Sequence, residues 1–377
     1  MRVAVVHDWL TECGGAEKVT RELVYLFDAD VFALVDFLSP DDRTDILHGK
    51  RATTTFIQRL PFARRKFRWY LPLFPRAIER LDLSGYDLIL SSSYAVAKGV
   101  RKRTGQKHVC YIHTPMRYAW VNEAGYLRDH GMGSWKGWIL KRVLGSLRKW
   151  DLANSADVDR FIANSRNVAE RVRTIYGREA DVVLPPVDPE VFTLYEGPRS
   201  GYLTVSRLVP YKRINRILEA FRELPSLTLT VVGDGPDAER LRALAGPNVR
   251  FTGHLSQVEL VPLMKRSSAL ICAANEDLGL TVLEAQTCGT PVIALRTGGY
   301  LETVVETNGS LFFDTDEPSA IRDAIRRHAD AGLRPATHEQ RNTDLPSERL
   351  RTRMSPYFRD RFRARIVAII QETMDHA

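Results

Sequence analysis

Two cations and two carboxylates carry the strongest chemical signal in this chain. In SRLVPYKR, Arg207 and Lys212 stand five positions apart behind the apolar run GYLTV, with Pro210 fixing the turn between them. A permanently charged planar donor and a flexible ammonium together suit a diphosphate better than either does alone. In NEDLGLTVLEAQTCGTPVIALRTGG, Glu276 and Glu284 lie eight positions apart. One carboxylate accepts hydrogen bonds from both hydroxyls of a ribose, and a helix start offers free N–H groups to a phosphate. The competing accounts are a solvated loop for the cations, and a helix-terminal acid plus a solvated glutamate for the carboxylates.

These side chains converge only if the flanking segments fold as their patterns suggest. SALICAA reads as a buried strand, NEDLG as its loop and LTVLEAQTC as a helix, with Gly289 and Pro291 breaking the chain before the strand PVIAL. Glu276 then sits at the carboxyl end of a strand and Glu284 inside the following helix. The same alternation runs through both halves. VAVVH, VFALV, DLILSS, HVCYIH and RFIANS are strands of the first; GYLTVS, LTLTVVG, RFTGH, ALICAA and PVIAL are strands of the second. Apolar strands alternating with helices predict parallel sheets covered on both faces. The fold class is α/β, with two doubly wound Rossmann-like domains. At 377 residues the chain exceeds the usual size of one core. The join falls near VVLPPVDPEVF, where Pro185, Pro186 and Pro189 stiffen an extended segment, which gives domains over residues 1–180 and 181–354. A less regular stretch from about Gly332 to Pro356 precedes an amphipathic helix from about Tyr357 to Met374. Ligands of such sheets bind beyond the carboxyl ends of the strands, and two domains facing one another make a central cleft there.

Other motifs are weaker. Gly233, Gly235 and Ala238 match G-x-G-x-x-A between a strand and a helix, but the following strand, ending VRFTGH, lacks the acid that a dinucleotide site places on the ribose. A nicotinamide dehydrogenase is disfavoured. Gly14 and Gly15 in CGGAEK either let a ligand approach the backbone or form an ordinary tight turn. His113, ending the strand in CYIHTPMRYAW, either faces the cleft or is a satisfied structural histidine. Two D-x-D triplets, Asp28 to Asp30 before a strand and Asp157 to Asp159 in a helical pattern, read as solvated turns because neither ends a strand, so no metal site is expected.

Charge separates the halves. Residues 1–180 hold 30 Lys and Arg against 20 Asp and Glu, the rest 24 against 26, and all six tryptophans fall in the first 150 residues. The basic residues concentrate in QRLPFARRKFRWYLPLFPRAIERL, Gln58 to Leu81, and in KGVRKRTGQK. Interleaved with aromatics, they suit an anionic membrane surface better than nucleic acid, for which no module is evident; a merely solvated face is the third account. Cys13, Cys110, Cys272 and Cys288 form no C-x-x-C pair. They suggest neither zinc nor a disulfide framework, and with no signal peptide or long apolar run the expected location is cytoplasmic.

Taken together, SRLVPYKR, VVGDGP and NEDLGLTVLEAQTCGTPVIALRTGGYLETV resemble the nucleotide-sugar half of glycosyltransferase family 4, the retaining enzymes of GT-B fold. HDWLTECGGAEK, YDLILSSSYAVAKGV and CYIHTPMRYAW resemble the first half of bacterial members that build surface polysaccharides. The resemblance implies that Arg207 and Lys212 hold the donor diphosphate, Glu284 the nucleotide ribose and Glu276 hydroxyls of the donor sugar. His113 would approach that sugar from the first domain, Gly14 and Gly15 would line the phosphate and acceptor side, and Gly235, Asp277, Gly279 and Leu280 would complete the donor-binding set. Leu278 stands where many members carry an aromatic before the glycine. The final helix, within residues 355–377, would return to the first domain. The expected reaction moves a hexose, first of all mannose from GDP-mannose, to a lipid-linked saccharide at the inner face of the plasma membrane by front-face attack. It would need no metal or other cofactor, because Arg207 and Lys212 stabilise the charge growing on the leaving diphosphate. A UDP-sugar donor, or a non-catalytic nucleotide-sugar-binding membrane adaptor, are the alternatives.

Overall fold

The computed structural model describes residues 1–121, 135–306, 309–333 and 352–375, so most of the irregular stretch expected between Gly332 and Pro356 lies outside the described residues. The chain divides into two units, Met1–Pro186 with Asp360–Ala377, and Val187–Arg359.

The first unit is built on a parallel sheet of β1 (Val3–His7), β2 (Asp30–Ala33), β3 (Thr53–Thr54), β4 (Leu88–Ser93), β5 (Lys107–Ile112), β6 (Arg160–Ala163) and β7 (Ala180–Val182), in the order β3-β2-β1-β4-β5-β6-β7. Every residue of β1 and β4 is buried, which matches their unbroken apolar or small-residue runs and requires cover on both faces. One face packs Val5, Leu90 and Val109 against Val19 and Leu23 of the helix Gly15–Phe27 and against Phe362, Ile366, Ile369 and Ile370 of the helix Arg359–Asp375. The other packs Val6 and Ile89 against Phe67, Phe74 and Leu144. Local signals set the helix ends. The Ser165 hydroxyl accepts from the Val168 amide at 3.1 Å to start Arg166–Tyr176, and Gly177, at φ 64°, ends it.

The second unit repeats the plan with β8 (Tyr202–Val205), β9 (Leu229–Val232), β10 (Val249–Gly253), β11 (Ala269–Cys272), β12 (Val292–Leu295) and β13 (Leu311–Phe313), all parallel in the order β10-β9-β8-β11-β12-β13. Leu218 and Phe221 of the helix Ile214–Arg222 fill one face with Val231, Ile271, Ile293 and Ile325. In each sheet the connections wind outward in opposite directions from one central pair, β1 with β4 and β8 with β11. That pair is the topological switch point, where loops splay apart beyond the carboxyl ends and leave room for a ligand.

The structure revises three expectations. Asp157 to Asp159 do not lie in a helix: the helix Trp135–Ser155 ends before them, and they turn the chain into β6, with the Asp159 amide donating to the His108 carbonyl at 2.9 Å. Lys98 opens KGVRKRTGQK but is not on a basic surface. It is buried and ion-paired with Asp151, whose carboxylate also accepts from Trp120 Nε1 at 2.8 Å and the Tyr176 hydroxyl at 2.7 Å. A buried ammonium is tolerable only with such a partner. The segment Gln58 to Leu81 divides its apolar residues, because Phe67, Leu71 and Phe74 belong to the core whereas Phe62, Trp69 and Leu73 are exposed. Among the described residues no helix is long and apolar enough to cross a membrane.

Candidate functional site

In the second unit, the two loops that flank the switch point carry opposite charges. The loop after β8 keeps close to the sheet: the Ser206 amide donates to the Val232 carbonyl at 3.1 Å and the Leu208 amide to the Asp234 carbonyl at 2.8 Å. That closeness explains the G-x-G fingerprint without a dinucleotide. A Cβ on Gly233, at φ 129°, would collide with the Ser206 carbonyl oxygen, and one on Gly235, at φ 158°, with the Leu208 carbonyl oxygen. The loop then makes one tight turn, Pro210–Lys212, and Arg213 takes φ 58° before the next helix. Arg207 is exposed on this loop and Lys212 half-buried.

The facing loop, Asn275 to Gly279, rests on a second glycine turn. The Gly299 amide donates to the Glu276 carbonyl at 2.8 Å, and side chains on Gly298 or Gly299 would strike the backbone of residues 276–278. Gly279, at φ 90°, lies against the Tyr300 ring and starts the helix Leu280–Thr287. Leu280 is that helix's first residue, Asp277 is half-buried, and Leu278 is buried beneath the loop. Glu284 is one turn further in and 5% exposed, so it is neither a helix-terminal acid nor a solvated glutamate. Lys212 Nζ is ion-paired with the Glu276 carboxylate, which brings together two residues selected separately from sequence. Burial alone would lower the lysine pKa; Glu276 and then Tyr211 outweigh it and hold Lys212 above its ordinary value, so the ammonium stays charged.

In the first unit, His7 ends β1 and pairs in register with Ser92 of β4 across the other switch point. His7 Nε2 lies 3.1 Å from Glu17 Oε1, and its Nδ1 lies 3.2 Å from Ser92 Oγ and 2.9 Å from Thr20 Oγ1. Ser92 Oγ is in turn 2.8 Å from Nε2 of His113, the residue that follows β5. Burial, with His7 nearby, lowers the His113 pKa to about 3, so this imidazole is neutral. Gly14 caps the helix Gly15–Phe27, and its amide donates to Glu17 Oε2 at 3.0 Å. That N–H is therefore committed within the protein, and Gly15 is the first helical residue. Asp8 is fully buried and accepts from the amides of Tyr94, Ala95, Val96 and Ala97 at 2.5–2.9 Å, which seats the loop after β4.

His7, Asp8, Glu17 and Ser92 lie within HDWLTECGGAEK and YDLILSSSYAVAKGV, but the sequence motifs assign them no role. The available signal was the pair of polar residues closing the apolar run VAVVHD and the serines closing DLILSSS. Among the described residues no cluster of His, Cys, Asp and Glu could hold a metal ion.

Residues 13–191 match the family model Glycosyltransferase Family 4, and residues 196–340 match Glycosyl transferases group 1. The chain is 32% identical over 316 residues to a D-inositol 3-phosphate glycosyltransferase of Acidothermus cellulolyticus, a match that spans 73% of this chain and 67% of the relative. It is 32% identical over 221 residues to a GDP-mannose-dependent alpha-(1-6)-phosphatidylinositol monomannoside mannosyltransferase of Mycolicibacterium smegmatis, covering 50% of this chain and 57% of that one. The matches thus span about half to two thirds of such relatives' own lengths. In fold, sucrose-phosphate synthase from Thermosynechococcus elongatus superposes with a TM-score of 0.74 over the whole of both chains at 16% identity. Anabaena HepE in complex with UDP-glucose does so with 0.70 over 99% of this chain and 100% of that one, also at 16%. With GT-B architecture, family models matching both halves and a relative 32% identical over two thirds of its length, this chain belongs to glycosyltransferase family 4 and is a hexosyltransferase.

Proposed function

We propose that the enzyme moves mannose from GDP-mannose, with retention, to a lipid-linked saccharide acceptor at an anionic membrane surface in surface polysaccharide biosynthesis. The observation that carries the donor site is the Lys212–Glu276 ion pair at the β8/β11 switch point, with Arg207 on the same loop as Lys212. As the sugar–phosphate bond breaks, negative charge grows on the diphosphate and positive charge on the sugar ring. Arg207 and Lys212 answer the first and Glu276 the second, so the same groups stabilise the transition state more than the bound donor. Glu284 binds the ribose, and the helix start at Gly279 and Leu280 faces the phosphates. With two fixed cations in that role, the reaction proceeds without a divalent metal.

GDP-mannose is favoured because two relatives, from Mycolicibacterium smegmatis at 32% identity and Corynebacterium glutamicum at 34%, are named as GDP-mannose-dependent mannosyltransferases acting on phosphatidylinositol mannosides. Support for the membrane comes from exposed Phe62 and Trp69 beside exposed Arg64, Arg65, Lys66 and Arg68, with Lys66 Nζ 4.0 Å from the Trp69 ring centroid.

Thermal shift and sugar release measured with GDP-mannose, UDP-glucose and NAD, each with and without EDTA, test the reading. Stabilisation by GDP-mannose and release of mannose that survives EDTA are expected. A response confined to UDP-glucose would replace the donor, stabilisation without turnover would favour an adaptor, and a loss restored by Mn²⁺ or Mg²⁺ would overturn metal independence.

A further inference from the structure

The hydrogen bonds around His7 form one connected chain in the first unit. It starts at the Gly14 amide, passes through both oxygens of Glu17 to His7 Nε2, leaves His7 at Nδ1 toward Thr20 and Ser92, and ends at His113 Nε2. His7, Thr20, Ser92 and Glu17 are all buried, and His7 and Ser92 are register partners on the central strands. Four polar side chains in one buried cluster are costly unless each hydrogen bond is made, and then they fix one geometry. The proposed donor-site chemistry uses none of the four.

We infer that Ser92, His7 and Glu17 are positioning residues for His113, holding its ring by Nε2 and placing its proton on Nδ1. The proton placement follows from the donors available. With Glu17 as a carboxylate that only accepts, His7 carries hydrogen on Nε2. The shorter contact to His7 Nδ1 is from Thr20, at 2.9 Å against 3.2 Å for Ser92, and it is also shorter than the 3.2 Å from the same Thr20 hydroxyl to the Ala16 carbonyl. The Ser92 hydroxyl is then left to its own shortest contact, His113 Nε2 at 2.8 Å, against 3.0 Å to Thr20. Ser92 donates, His113 Nε2 accepts, and the single proton of the neutral ring sits on Nδ1. The ring is clamped between Tyr94 and Tyr111, whose centroids lie 6.1 and 5.1 Å away. The His113 amide donates to the Ser93 carbonyl at 2.8 Å. Among the described residues Nδ1 makes no hydrogen bond. His113 therefore offers a ligand oxygen an N–H donor and does not act as a proton acceptor.

The inference rests on reading His113 as a donor-sugar residue, and the experiment separates the two. Nitrogen-15 NMR of histidine-labelled full-length enzyme, with His113→Asn assigning the signal, reads the tautomer directly. The Nδ1–H form is expected in the wild type, and a shift toward the Nε2–H form in Ser92→Ala. Single-turnover kinetics of Ser92→Ala should show a rate lower by about ten- to a hundredfold with donor affinity nearly unchanged, as for a displaced reacting contact. Ser92→Thr, which keeps the hydroxyl, should restore both tautomer and rate, and Glu17→Gln should repeat the Ser92→Ala effect should that variant fold poorly. An Nε2–H tautomer in the wild type, or Ser92→Ala and Glu17→Gln variants with unchanged tautomer and rate, overturns the inference. A correct tautomer in an enzyme whose His113→Asn variant is fully active would sustain the positioning and remove the sugar role.

Discussion

Lys212 and Glu276, 64 positions apart in sequence, meet as an ion pair where β8 and β11 end. Burial pulls the lysine pKa down and the carboxylate lifts it above its ordinary value. Removing the carboxylate leaves burial in command, so in Glu276→Gln the lysine pKa falls and the ammonium is lost as pH rises. In the proposed donor site, Lys212 binds the diphosphate through that charge. Wild-type affinity for GDP should hold steady from pH 7 to about 9.5, whereas the variant should lose affinity across that range by up to roughly tenfold per pH unit. Calorimetry at several pH values checks this, and parallel profiles for the two proteins would count against it.

At neutral pH the two glutamates should separate. Glu284 is proposed for the ribose, so Glu284→Gln should weaken GDP and GDP-mannose binding alike, by roughly 1 to 3 kcal/mol. Glu276→Gln should leave binding of bare GDP nearly intact near pH 7 while lowering turnover about a hundredfold. Calorimetry with GDP and single-turnover rates with GDP-mannose decide. Equal losses of GDP affinity in both variants would dissolve the division of labour.

The exposed half of the basic aromatic segment should bind anionic vesicles. Phe62 and Trp69 are 77% and 71% exposed, and the exposed Arg64, Arg65, Lys66 and Arg68 lie between them in sequence. Sedimentation with phosphatidylserine vesicles should show binding that falls as salt is raised. It should also weaken in Trp69→Ser, at no cost in melting temperature because the ring is not in the core. Equal affinity for neutral vesicles would remove the electrostatic account.

The sheets were legible in the sequence because each central strand is a short apolar run closed by a polar residue. VAVVH spans the observed β1, and ALICAA and PVIAL contain β11 and β12. The edge strands β3, β7 and β13 were not, since two or three residues carry no periodicity. Arg207, Lys212 and Glu276 were visible as charges in loops that follow strands, and Glu284 as an acid inside the next helix. Pairwise meetings such as Lys212 with Glu276, or Ser92 with His113, depend on strand order, which local pattern does not encode. Lys98 shows the converse: in sequence it belongs to a basic run, and its ion pair with Asp151, 53 residues away, makes its burial tolerable.

The helix Arg359–Asp375 yields a prediction about stability. Its apolar positions Phe362, Ile366, Ile369 and Ile370 follow helical spacing and join the core that also holds Val5, Leu23 and Leu90 of the first unit. Arg363 adds an ion pair to Glu22, itself buried on the helix Gly15–Phe27. Ile369 is fully buried, so Ile369→Ala removes methylene contacts and leaves a cavity, at a cost of about 2 to 5 kcal/mol. Arg363→Ala leaves the buried Glu22 with Arg21 as its remaining ion-pair partner, and should cost less than the cavity does. Urea unfolding should show Ile369→Ala with a lower midpoint and an unchanged slope, and a chain ending at Pro356 should lose cooperative unfolding of the first unit. A truncated chain with the wild-type midpoint would mean that this helix contributes nothing to the core it lies in.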